Sequence, residues 1–144
     1  TSANAHSPSL SYDPDNDNVL CCYSGTSNRG AAQVITWSGT TLSAGTTVYF
    51  PQISSNVGIG AKTATYDTND NKHIVAFRYD DYGNRGYIVS VSVSGTTPTF
   101  GSLVQFCGTD TSTDNLGNNL LDIAFDDNVN KTQSFVGSAS HVPQ

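Results

Sequence analysis

Neither methionine nor glutamate occurs in these 144 residues, and all twelve acidic side chains are aspartate. Good helix formers are therefore scarce. Only six basic residues stand against the twelve acids, the net charge is −6, and the basic residues do not cluster. A surface that tracks a nucleic-acid backbone needs the opposite balance, so nucleic acid is set aside as a partner. No apolar run approaches the roughly 18 residues of a membrane-spanning helix, so membrane insertion is not expected. There is one tryptophan, and there are three cysteines, Cys21, Cys22 and Cys107. An odd count cannot close fully into disulfides within one chain. Free thiols packed as small hydrophobes are the simpler reading, with one bridge from Cys107 to Cys21 or Cys22 left open. The histidines (His6, His73 and His141) fall at no metal-ligand spacing. A chain that opens at Thr1 with no visible signal peptide reads as processed, or as a segment of a longer one.

What is abundant is Ser, Thr, Gly and Asn, the residues of strands and turns, and they recur in order. Ser-Tyr-Asp-Pro-Asp-Asn-Asp-Asn at 11–18 returns as Thr-Tyr-Asp-Thr-Asn-Asp-Asn-Lys at 65–72, and as Ala-Phe-Asp-Asp-Asn-Val-Asn-Lys at 124–131. Trp-Ser-Gly-Thr-Thr at 37–41 matches Val-Ser-Gly-Thr-Thr at 93–97, and the run 45–50 matches 101–106. A period near 50 is the mark of a propeller blade or a similar array. The pattern predicts an all-β fold of four-stranded antiparallel meanders, β-propeller-like. Repeat 1 spans 1–58, repeat 2 spans 59–117 and a partial repeat 3 spans 118–144, in one continuous repeat domain.

Alternating side chains place the strands. In repeat 1 they fall near 8–13, 19–23, 31–37 and 46–50. In repeat 2 they fall near 61–67, 73–79, 87–94 and 100–106. In repeat 3 only 120–126 and 132–136 remain. His73, Val75, Phe77 and Tyr79 share one face of their strand, with Ile74, Ala76 and Arg78 on the other. Trp37, Tyr49, Phe50, Phe100 and Phe106 are expected in the packing between units. Two and a half units do not close a ring, because a propeller needs about 4 to 8 blades. The expectation is completion by further chain or by copies of itself, with a non-closing β-array or sandwich as the alternative.

Two segments carry candidate chemistry. Asp13, Asp15 and Asp17 alternate in the first turn, and oxygen side chains at that spacing can wrap calcium. The glycine and the distal glutamate of an EF-hand loop are missing, however, and a plain hairpin turn explains the same residues. The second segment is the loop of repeat 2, with Tyr79, Asp80, Asp81, Tyr82, Asn84, Arg85 and Tyr87 within nine residues. Aromatic faces beside planar hydrogen-bonding groups suit a sugar ring and its hydroxyls, and a structural turn is the competing reading. No nucleophile–base signature, phosphate loop or zinc spacing occurs. A pair of catalytic carboxylates is also poorly served, since Asp80/Asp81 and Asp126/Asp127 are sequence neighbours. An enzyme is not expected, and neither is a cofactor apart from the calcium alternative.

The second repeat carries Tyr66-Asp67, Asn71-Lys72, Phe77-Arg78-Tyr79-Asp80, Tyr82-Gly83, Val93-Ser94-Gly95-Thr96 and Phe100-Gly101-Ser102 through Phe106. This pattern resembles the β-propeller-type repeats of tail-fibre and other surface proteins of marine bacteriophages, especially those of cyanobacteria. The resemblance covers roughly residues 8–136. Repeat 1 departs from it at Cys21-Cys22 and at Ala44, which stands in place of Phe100. It implies a virion-associated structural or adhesive protein, at the virion surface or otherwise extracellular. Its partners would be other virion proteins or copies of itself, and a host-surface glycan is the candidate ligand. A pure scaffold or decoration subunit and a secreted lectin-like module are the alternatives.

Overall fold

The computed structural model describes residues 6–25, 29–51, 58–80, 85–108, 121–126 and 131–136. Every element among them is a strand, and every pairing is antiparallel. The first sheet (sheet A) contains β1 (His6–Asp13), β2 (Asn18–Ser24), β3 (Gly30–Ser38), β4 (Thr41–Ala44) and β5 (Val48–Tyr49). They lie in the order β1-β2-β3-β4, with β5 also paired to β3. Sheet B repeats this plan with β6 (Ile59–Asp67), β7 (Lys72–Tyr79), β8 (Gly86–Ser94), β9 (Thr97–Phe100) and β10 (Val104–Cys107). Sheet C is a single hairpin of β11 (Leu121–Asp126) and β12 (Lys131–Val136). The described residues form no closed ring of strands.

The turns follow from their residues. Asp13 pairs with Asn18, and Asp67 pairs with Lys72, each across a four-residue turn. The last turn residue takes a left-handed φ, 49° at Asp17 and 50° at Asn71. Asp and Asn tolerate that region better than other residues with a side chain. Gly39 and Gly95 open two-residue turns between paired Ser and Thr, each with φ of 59°. Left-handed φ at the first turn position is what a tight hairpin between right-twisted strands requires.

The fourth strand of each repeat corrects the expected boundaries. It begins at Thr41 and Thr97, straight after the glycine turn, and it is broken in two. The break falls at Gly45, whose N–H donates to Val34 O at 2.8 Å, and at Gly101, whose N–H donates to Ser90 O at 2.8 Å. Gly45 also lies under the backbone carbonyl of Thr96 from sheet B, where a Cβ has no room. That contact between sheets needs glycine.

Sheets A and B stack face to face. Leu20, Cys22, Ala32 and Val34 of sheet A meet Val75, Phe77, Tyr79, Tyr87, Val89 and Val91 of sheet B. Each such fully buried side chain contributes roughly 1.5–3 kcal/mol by leaving water. Phe50 closes one end of this core, 5.0 Å from the Phe77 ring and 4.7 Å from Phe100. The predicted face of His73, Val75, Phe77 and Tyr79 is the one that turns inward. Sheet C packs on the opposite face of sheet B through β11, where Ile123 is buried.

Trp37 departs from its expected place. It lies on the outward face of sheet A, 39% exposed, with its ring stacked on Tyr12 at 6.3 Å. Tyr49 lies on the same outward face, and the Arg29 guanidinium sits 4.2 Å from its ring centre. The three cysteines are free thiols.

Candidate functional site

The first turn shows what its aspartates do. Asp13 is buried, and its Oδ1 accepts the backbone N–H of Asp15 at 2.9 Å and of Asn16 at 3.1 Å. Its Oδ2 accepts the Asn16 side-chain amide at 2.9 Å. Burial alone would raise the Asp13 pKa, but bonds from Asn16, Tyr66 and the turn backbone outweigh it and hold the carboxyl below its usual value. Asp67 repeats the arrangement, accepting from Asn69 N at 3.0 Å and Asp70 N at 3.2 Å. These are Asx turns, in which the side chain closes the loop in place of a backbone carbonyl.

Asp15 points elsewhere. Its Oδ2 accepts the Tyr66 hydroxyl at 3.2 Å, and the Asn71 amide nitrogen donates to the same oxygen at 2.9 Å. The turn of repeat 1 is thereby tied to the turn of repeat 2. Asp17 accepts the Tyr12 hydroxyl at 2.9 Å, and that bond heads the causes that raise the Tyr12 pKa. Asp13 and Asp15 thus share the Tyr66 hydroxyl, while Asp17 serves Tyr12. A calcium ion needs six to eight oxygens gathered around one point. Among the described residues no three His, Cys or Asp side chains are gathered in that way.

The loop of repeat 2 divides at its ends. Tyr79 is fully buried, and its ring lies 5.3 Å from Phe77 and 5.2 Å from Tyr87. Its hydroxyl donates to the Pro51 carbonyl. Tyr87 is 5% exposed, and its hydroxyl donates to Gln105 Oε1 at 3.1 Å. Both rings belong to the core, so neither offers a face to a sugar. The reason is strand period: both residues sit on the side of β7 and β8 that faces sheet A. Asp80 is exposed and accepts Arg78 Nε at 2.9 Å. Arg85 is half-buried against Gly108. Asp81, Tyr82 and Asn84 lie outside the described residues.

Between the sheets lies a polar cluster that the spacing did not single out. His73 is buried, and its Nδ1 shares a 2.9 Å hydrogen bond with Ser11 Oγ. Its Nε2 has no partner, and neither has Asn18 Oδ1. Burial pushes the His73 pKa down to about 4, against a small upward pull from Asp13. Lys62 Nζ donates to Ser24 Oγ at 2.9 Å and to Gly60 O at 3.0 Å. Ser24 Oγ in turn donates to Ile59 O at 2.6 Å. Burial lowers the Lys62 pKa to about 8, opposed by the nearby Cys22 and Asp80. The buried Cys22 thiol is pushed up to about 12, chiefly by desolvation, which keeps it in the unreactive thiol form. A depressed lysine beside a serine hydroxyl has the elements of a nucleophile pair. Ser24 is 4% exposed and bonded on both sides, so it has no approach for a substrate. The one sequence signal for this cluster was its placement on inward strand faces.

Comparison with models of known families, with curated proteins and with solved structures finds no match.

Proposed function

We propose that this protein is a non-enzymatic structural component of a virion surface, in which propeller-like sheets stack to build a larger body. One observation carries the structural part of the reading. The aspartates of the first turn, which looked like ligands, are bonded within the turn, to their own strand or from sheet to sheet, as Asp15 is to Tyr66 and Asn71. The virion part rests on the resemblance of the repeat, Tyr66-Asp67 through Phe106, to repeats of phage tail-fibre and surface proteins. The alternative of a secreted lectin-like module shares the fold and differs in setting.

Two measurements test it. Mass spectrometry of purified virus particles that carry the gene should find this chain, and antibodies against it should label intact particles. Its absence from purified particles refutes the virion assignment. A glycan-binding role has one observation in its favour: exposed Asp80 sits beside the loop residues of the candidate set. Multivalent display of the chain on a glycan array decides between adhesion and scaffold. A specific glycan whose binding is lost in both Asp80→Ala and Tyr82→Ala establishes adhesion, and no binding at high avidity leaves the scaffold.

A further inference from the structure

The outward face of sheet A is apolar and open. Leu10 is 64% exposed, Tyr12 49%, Trp37 39%, Leu42 71% and Tyr49 48%. The strand register places all five on one side. Leu10 pairs with Cys21, Tyr12 with Val19, Trp37 with Leu42 and Tyr49 with Ala31. A contiguous apolar patch of this kind marks an interaction site.

The repeat shows what such a face takes. Tyr12 corresponds to Tyr66, Cys21 to Val75, Tyr23 to Phe77 and Trp37 to Val93, because the sequence motifs and the strand registers coincide. In sheet B this face is covered: Tyr66 is 8% exposed, and Val75 and Phe77 are fully buried. What covers it is the opposite face of a neighbouring repeat, with Ser11, Leu20, Cys22 and Val34 of sheet A. Sheet B in turn offers its own opposite face to sheet C, where Ile123 packs. The stacking is therefore directional, and the same two kinds of face meet at each step.

Sheet C carries a face of the covering kind. In β11, Ile123 turns toward sheet B and Ala124 on the other side is exposed, while Asp122 Oδ1 accepts the Thr63 hydroxyl of sheet B at 3.5 Å. Among the described residues, sheet A thus displays a face that needs cover, and sheet C displays a face of the type that supplies it. Tyr12 supports the same conclusion. Its hydroxyl bonds to Asp17 of its own turn, whereas the Tyr66 hydroxyl reaches across to the turn of the preceding repeat.

We infer that the outward face of sheet A docks a second copy of this chain, head to tail, through the side of β11 that carries Ala124. Such a contact is heterologous, so it closes into a ring or runs on as a filament and does not stop at a face-to-face dimer. The inference rests on the structural reading above and names its neighbour.

Trp37 is the only tryptophan and lies on the docking face, so its emission reports occupancy. Sedimentation velocity and fluorescence are measured together over a hundredfold range of concentration. The expected result is a rising sedimentation coefficient with a blue shift and weaker acrylamide quenching. Leu42→Asp on one face and Ala124→Arg on the other both change exposed positions, and each should leave a folded monomer by circular dichroism. Mixed one to one, the two variants retain one intact interface and should form a dimer only. A wild-type chain that remains monomeric with unshifted Trp37 emission overturns the inference. So does association that survives Ala124→Arg and is lost in Leu42→Asp, which would mean that two sheet A faces meet symmetrically. A monomeric chain that is nonetheless found in virus particles keeps the structural role and loses only this neighbour.

Discussion

Lowering the pH should loosen the junction of sheets A and B through His73 before any carboxylate is involved. His73 is 1% exposed, its Nε2 has no hydrogen-bond partner, and its pKa lies at about 4 against 6.5 for a free imidazole. The folded pKa is the lower of the two, so between these values the unfolded chain binds a proton that the folded chain refuses. Stability is then complete above pH 6.5 and falls as the pH drops toward 4. At about 1.4 kcal/mol per pKa unit, the loss is about 2 kcal/mol by pH 5 and about 3 kcal/mol by pH 4. That is a large share of the 5–15 kcal/mol typical of a domain. Asp13 adds to the loss only lower down, because its folded pKa lies below the ordinary 3.8. The assay is urea unfolding at half-unit steps from pH 8 to pH 4, followed by circular dichroism. His73→Val is the control, since Val19 holds the corresponding place in repeat 1. It removes the titrating group and the unpaired nitrogen together, and its stability should be nearly flat over this range. The same slope in wild type and His73→Val would refute the reasoning, as would a flat wild-type profile.

Gly45→Ala should cost about 1–3 kcal/mol in urea unfolding, because the added methyl meets the Thr96 backbone where neither side can yield easily. Asp13→Ala removes three acceptor bonds from a buried turn and should cost about 2–3 kcal/mol, while Asp13→Asn keeps an acceptor and loses less. Lys62, with its folded pKa lowered to about 8 from 10.5, should make the protein more stable as the pH rises from 8 to 9, above which Cys22, raised to about 12 from 9, opposes it; Lys62→Met should abolish the rise between pH 8 and 9 in calorimetry. Millimolar calcium should leave the melting temperature unchanged, because Asp13, Asp15 and Asp17 are engaged by turn and tyrosine donors and no three acidic side chains converge among the described residues; a rise of several degrees would contradict this.

Much of the fold was legible because its signals are local. Alternation in Tyr87 to Ser94 places Val89 and Val91 on one face, and both are buried there. Asp13 and Asp67, at the head of the first hairpin of repeats 1 and 2, each close a turn through their own carboxylate, which depends on no distant partner. The fourth strands were less legible. In sheet A the break falls at Gly45, which meets Thr96, a residue 51 positions away. The candidate loop was half legible. Its aromatic and acidic residues stand together in sequence, yet Tyr79 and Tyr87 turn inward with their strands. A ring that looks available in sequence is committed by strand period to one side of a sheet.

The sequence by itself determined the repeat, the strand class and the turns, because each depends on residues within a few positions of one another. It left undecided which face of each sheet is covered, because both faces of β2 are apolar enough to pack: Val19, Cys21 and Tyr23 on one side, Leu20 and Cys22 on the other. Only the stacking of sheets chose between them. It buried Tyr66 on sheet A, left the corresponding Tyr12 exposed beside Trp37, and placed His73 against Ser11, 62 residues away. Burial is a property of the neighbour as much as of the residue, and the neighbour is supplied by tertiary structure.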